Sequence, residues 1–122
     1  MPSLRAIRGA TQVERDTPAD IAEATTELLR AMLADNRLVE AAILDAVFTC
    51  TPDLRSAFPA EAARALGWRD VPMLCTQELD VVGALPRCIR VLLRAEIGIP
   101  RMDVRHVYLR GARSLRPDLG TD

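Results

Sequence analysis

From Leu4 to Val13, the residues Leu4, Ala6 and Ile7 interleave with Arg5 and Arg8 at a period near two. This predicts a first strand, with Arg5 and Ile7 facing opposite to Ala6 and Arg8. The period then lengthens: Ile21, Ala24, Thr25, Leu28, Leu29 and Met32 recur at helical spacing up to Asn36. Pro18 suits the first turn of that helix, and either Asp16 or Thr17 can cap it. Ala42 to Thr51 is a continuous apolar run ending in the β-formers Val47, Phe48 and Thr49, before the turn signal Thr51-Pro52-Asp53. It reads as a central strand buried on both faces, although its first half could be helical. Pro59 opens an alanine-rich helix to Leu66, ended by Gly67, and Val71 to Thr76 reads as a third strand, giving a second βαβ-like unit. In Cys88 to Ile97, Ile89, Val91 and Leu93 alternate with Arg90, Leu92 and Arg94, a strand carrying arginines on one face. Val104 to Leu109 is the last predicted strand, followed by an irregular tail over 113–122 that includes Arg116-Pro117-Asp118.

Strands and helices alternate without an internal repeat or linker, so residues 1–122 are read as one domain. The expected architecture is mixed α/β (α+β), a mixed sheet with helices packed on one face. Only two Phe, one Trp and one Tyr are present, so the core must be built from Leu, Val, Ile and Ala.

Charge narrows the partners. The net charge is −1, which gives no bulk attraction to nucleic acid or to an anionic membrane, and neither is expected as a partner. All sixteen basic side chains are arginine, which weakens any argument from one arginine and removes Schiff-base chemistry on lysine. Cys50, Cys75 and Cys88 are odd in number and lack a CxxC pair, so no disulfide framework or structural zinc is expected. With no apolar signal-like segment at the N-terminus and no membrane-length apolar run, the expected location is the cytoplasm.

Candidate chemistry follows partly by elimination. His106 is the single histidine, and its neighbours Arg105 and Tyr108 on a predicted strand suit a structural role better than a catalytic one. Scattered carboxylates lack metal-ligand spacing, so no metal is expected. Gly9, Gly67 and Gly83 are isolated and form no phosphate-cradling loop, so no nucleotide cofactor is expected either. What remains is a set of arginines on strands, Arg8 and Arg90 above all, with Glu78 and Tyr108. Planar guanidinium forks match carboxylates and could fix a small dianion, while the competing reading is an ordinary solvated sheet face.

A series of short motifs runs nearly from end to end: IRGAT at Ile7 to Thr11, VERDT at Val13 to Thr17, TPDL at Thr51 to Leu54, and FPA at Phe58 to Ala60. It continues with VP at Val71 to Pro72, CxQE at Cys75 to Glu78, CIRV at Cys88 to Val91, RHVYL at Arg105 to Leu109, and LRPDL at Leu115 to Leu119. In order and spacing the chain resembles the homotrimeric AroH-class chorismate mutases. That resemblance implies a trimeric pseudo-α/β-barrel with active sites at the subunit interfaces. The activity it implies is the cofactor-free [3,3] rearrangement of chorismate to prephenate, in phenylalanine and tyrosine biosynthesis.

Matched position by position, the resemblance implies Arg90, Glu78 and Arg8 as catalytic residues. Arg90 would stand beside the ether oxygen. Arg8 and Tyr108 would hold the side-chain carboxylate, and the segment Leu74, Cys75, Thr76, Gln77 and Glu78 would meet the ring hydroxyl. Phe58, Ala60 and Arg64 would come from the neighbouring subunit, with Leu115 and Arg116 in a tail that can close over the cleft. Two positions depart from the pattern. Glu61 stands where a basic residue is frequent, and Leu74 where a hydroxyl or small residue is frequent. The main alternative is a trimer of the same architecture that binds small carboxylates without catalysis. A further one is an enamine or imine hydrolase, which would leave Glu78, Arg90 and Tyr108 without a task.

Overall fold

The computed structural model describes residues 3–115. Along the chain come β1 (Ser3–Gln12), α1 (Pro18–Asp35), β2 (Ile43–Cys50), α2 (Ala60–Ala65), β3 (Met73–Gln77), β4 (Cys88–Ile97) and β5 (Val107–Tyr108). Short 3-10 turns occupy Glu40–Ala42, Arg101–Asp103 and Arg110–Leu115.

Thr17, not Asp16, caps α1: its backbone is extended and its hydroxyl accepts the Asp20 N–H at 3.1 Å. Asp16 instead gathers the loop after β2, accepting the Arg55 and Ser56 N–H groups at 3.0 and 3.1 Å and the Ser56 hydroxyl at 2.8 Å. The Ser56 hydroxyl is the main cause of an Asp16 carboxyl held below its ordinary 3.8, with the Arg55 and Ser56 N–H groups adding to it. The VERDT segment is therefore stitched to the two residues that follow TPDL.

The five strands form one sheet in the order β3-β2-β4-β1-β5. β4 lies antiparallel between β1 and β2, while the β2–β3 and β1–β5 pairs are parallel. The first βαβ unit is thus split by a later strand, whereas the second, β2-α2-β3, closes on adjacent strands. The expected mixed sheet with helices on one face is what forms. Ile7, Phe48, Val91 and Leu93 share one core with Leu28, Leu29 and Met32 of α1, Ala60 and Ala63 of α2, and Trp68. Gly9 belongs to this face because α1 crosses there. A Cβ at that position would come within 2.5 Å of Met32 Sδ and 3.1 Å of Leu28 Cδ1.

Two expectations need correction. β2 is not buried on both faces: Ala46 and Phe48 are buried, but Leu44 is exposed and Val47 and Thr49 only partly covered. Among the described residues no helix covers β2 on the opposite face, so within one chain a continuous apolar run does not here mean two-sided cover. The last strand is two residues, not the six from Val104 to Leu109. Arg105 and His106 are held by side-chain hydrogen bonds instead of a ladder. Asn36 donates to Arg105 O at 2.9 Å and accepts the Arg105 N–H at 2.8 Å, and His106 Nδ1 accepts the Arg8 N–H at 3.0 Å.

Asn36 also donates to Met32 O at 2.8 Å and is itself buried, so one amide ties the end of α1 to the approach of β5. Asn36→Leu keeps the branching at Cγ but leaves the Arg105 backbone groups unpaired. Urea unfolding should show a loss of about 3 kcal/mol with an unchanged m value.

Candidate functional site

The helix-free face of the sheet carries the candidate residues, and strand register brings them into line. Reading across, Thr76 of β3 stands opposite Thr49 of β2, Thr49 opposite Arg90 of β4, Arg90 opposite Ala10 of β1, and Ala10 opposite Tyr108 of β5. Directly opposed residues share a face, so this is one continuous row. The row beside it runs Leu74, Val47, Leu92, Arg8. Arg8 is therefore the diagonal neighbour of Arg90, a separation of about 7–8 Å between such positions.

Glu78 follows β3 and turns over this row, its N–H bonded to Cys50 O at 2.8 Å. Its Oε1 accepts the Thr49 hydroxyl, and its Oε2 lies 3.5 Å from Arg90 Nε. The Arg90 guanidinium is partly exposed while its Nε is buried without a hydrogen bond.

Not every arginine on the face is equivalent. Arg94 is clamped by both carboxylate oxygens of Asp45, which raises its pKa and holds the Asp45 carboxyl low. At the sheet ends, Arg87 Nε donates to Val13 O at 2.8 Å, and Arg110 pairs with Glu27 and Glu23 of α1. Among the described residues no side chain pairs with the Arg8 guanidinium, and only Glu78 gives Arg90 a carboxylate. Two cations and one carboxylate are thus left on an open surface, a set suited to a small dianion.

The start of β4 is braced from the TPDL turn. Thr51 Oγ1 accepts the Cys88 N–H at 2.9 Å and donates to Asp53 Oδ1 at 2.5 Å, while both Asp53 oxygens accept the Arg87 N–H at 3.0 and 3.1 Å. Arg90 follows two residues after Cys88 and inherits that placement.

Tyr108 is buried against Ala10 and Ala112, with Leu85 and Leu115 packed beside them at one end of the row. Arg116 lies outside the described residues. Cys75 points to the helix side, opposite Phe48 in the ladder. It lines a cavity of about 370 Å³ with Cys50, Phe58, Thr76, Gln77 and Glu61, among others. Burial pushes the Cys50 thiol up to about 12 and raises Cys88 as well, so these two are neutral thiols at physiological pH and not nucleophiles.

Phe58, Ala60 and Arg64 are not brought to Arg90. They belong to the helix layer on the other side of the sheet, where Phe58 is 65% exposed, Arg64 is exposed, and the Ala60 side chain is packed in the core. Ala60 as a whole is 2% exposed, so it offers almost no surface to a ligand. Thr49 was not singled out from the sequence, where its one signal was a hydroxyl residue at an alternate position of an apolar strand. Thr51 and Asp53 were read only as a turn and a motif, and His106 as a structural residue, without the contacts they make.

Among the described residues no group of His, Cys, Asp and Glu side chains stands together as a metal site, and no helix is long and apolar enough to cross a membrane. Fold and site together define a small α/β protein that presents paired cations and a carboxylate on an uncovered sheet face. The family model for chorismate mutase type I matches residues 4–119, and the chain belongs to that family. Chorismate mutase AroH of Thermus thermophilus is 55% identical over 117 residues, 95% of this chain and 96% of that protein. Chorismate mutase AroH of Bacillus subtilis (strain 168) is 44% identical over 117 residues, 95% of this chain and 92% of that protein. A solved chorismate mutase from Clostridium thermocellum shares the fold with a TM-score of 0.88 at 44% identity, covering 89% of this chain and 97% of that one.

Proposed function

We propose that Arg90, Glu78, Arg8 and Tyr108 carry the chorismate mutase activity of this chain, the conversion of chorismate to prephenate. The observation that carries the assignment is the open-face row in which Arg90 stands between Thr49 and Ala10, with Glu78 as its sole carboxylate partner among the described residues.

The reaction is an intramolecular [3,3] rearrangement. The enolpyruvyl arm folds over the ring, its ether C–O bond breaks and a C–C bond forms, with no proton transferred to the protein and no covalent intermediate. What a protein can supply is a fixed conformer and charge stabilisation at the ether oxygen, where negative charge gathers. Arg90 does the second, and its fork also reaches a substrate carboxylate. Arg8 and Tyr108 hold the carboxylate of the arm. Glu78 and the segment from Leu74 to Gln77 take the ring hydroxyl. One preorganised donor aimed at developing charge is worth about a hundred- to a thousandfold in rate.

The same reading makes the protein a homotrimer in which each cleft is finished by a neighbouring copy. Leu74 and Leu92 lie in the row beside Arg90 and are 70% and 45% exposed, an apolar surface that a second copy would cover. Phe58 and Arg64 would then close the cleft from the neighbour, with Ala60 packed behind them and Leu115 over its mouth.

Glu61 lies on the Phe58 cavity and gives that approach a negative charge, which predicts weaker long-range attraction of a dianion, not a loss of chemistry. Leu74 offers the cleft only backbone polar groups. The assay is direct: purified protein is incubated with chorismate, its absorbance is followed, and prephenate is identified as the product. Turnover well above the spontaneous rate is expected. Binding without turnover would overturn the assignment and leave a carboxylate-binding protein.

A further inference from the structure

We propose that Thr49 is a positioning residue for this reaction, acting on Arg90 through Glu78. The inference rests on the assignment of Arg90 and Glu78 made above. Thr49 is directly opposite Arg90 in the β2–β4 ladder, so its hydroxyl and the guanidinium rise from the same face. The hydroxyl donates to Glu78 Oε1, and Oε2 of the same carboxylate is the atom beside Arg90 Nε.

The division of the two oxygens matters. A free glutamate beside an arginine tends to lie in the guanidinium fork with both oxygens engaged, as Asp45 does with Arg94 on the same face. A carboxylate in that position on Arg90 would occupy the donors that the substrate needs. With Oε1 held by Thr49, Glu78 meets Arg90 from the Nε side, and no second carboxylate among the described residues takes the terminal nitrogens.

Glu78 needs such a hold because its own tether is slight. It stands just past the end of β3, fixed through its N–H to Cys50 O, and the segment after it carries Leu79, Val81 and Val82 exposed. Several side-chain torsions separate that backbone from the carboxylate. A threonine on the rigid neighbouring strand removes this freedom, which is how a preorganised site avoids rearrangement at the moment of reaction.

The test is a set of variants of the full chain assayed for chorismate turnover: Thr49→Val, Thr49→Ser, Glu78→Ala and the double variant Thr49→Val/Glu78→Ala. Thr49→Val should lower kcat/KM by about ten- to a hundredfold, mostly in kcat, and Thr49→Ser should return it to within about twofold of the original chain. In the Glu78→Ala background, adding Thr49→Val should change turnover by less than about twofold, because the group it acts through is gone. Should the valine variant not fold, Thr49→Ala makes the same comparison. Unchanged kcat/KM in Thr49→Val, or a full additional loss in the Glu78→Ala background, would overturn the proposal. Turnover that is lost in Arg90→Ala yet untouched at Thr49 would overturn it alone, whereas an original chain without turnover would overturn the functional assignment with it.

Discussion

Arg90→Ala should leave a folded protein whose kcat/KM for chorismate is lower by at least about a thousandfold, a loss of about 4 kcal/mol of transition-state stabilisation. The size follows from what is removed. Arg90 is the cation in the centre of the row, and its charge is spent on neither a clamp such as Asp45 nor a backbone carbonyl. Arg90→Lys should recover little of the loss, staying about a hundredfold or more below the original chain. Lysine retains the charge but presents a compact ammonium where a planar fork must meet Glu78 on one edge and the substrate on the other. Folding is not at stake, since the buried side of β4 is built from Ile89, Val91, Leu93 and Ala95. Steady-state kinetics with a urea unfolding curve for each variant check both parts. Near-normal kcat in Arg90→Ala would remove it from the mechanism.

How much of this was legible in the chain differs from element to element. α1 was plain because six buried positions recur at helical spacing and a cap and a proline mark its start. β4 was plain as well, its buried residues from Ile89 onward alternating with Arg90, Leu92, Arg94 and Glu96. β5 was overestimated because its approach is held by Asn36, far away in sequence, and by the His106 ring. No local pattern reports a side chain that replaces a ladder partner. The insertion of β4 between β1 and β2 is equally non-local, since consecutive elements give no sign that their pairing is deferred to a later strand.

The site was legible only through the motif resemblance. Alternation puts Arg90 and Arg94 on the same face with equal weight. It is the register with Asp45 that neutralises one and the position of Glu78 that leaves the other half open. Thr49 looked like any β-former in an apolar run. Its hydroxyl acquires a task only when β3 ends beside β2 and delivers Glu78 to it. Phe58 and Arg64, by contrast, were expected from a second subunit, and in the single chain they lie in the helix layer, away from Arg90.

That separation leads to the second large effect, recovery of activity from two impaired chains. Arg90 and Arg64 lie on opposite sides of one sheet, so under the proposed assembly every cleft takes Arg90 from one copy and Arg64 from the next. Arg64→Ala should lower kcat/KM at least about tenfold, through loss of a guanidinium that covers the cleft. In a ring of three, an equal mixture of Arg90→Ala and Arg64→Ala chains rebuilds an unaltered cleft wherever the two kinds meet in the right order, in about a quarter of the sites. The decisive measurement is the chorismate turnover of the two variants unfolded in urea and refolded together. The shared-cleft account predicts about a quarter of the original activity, well above the mean of the two variants refolded separately. A mixture no more active than that mean would contradict it.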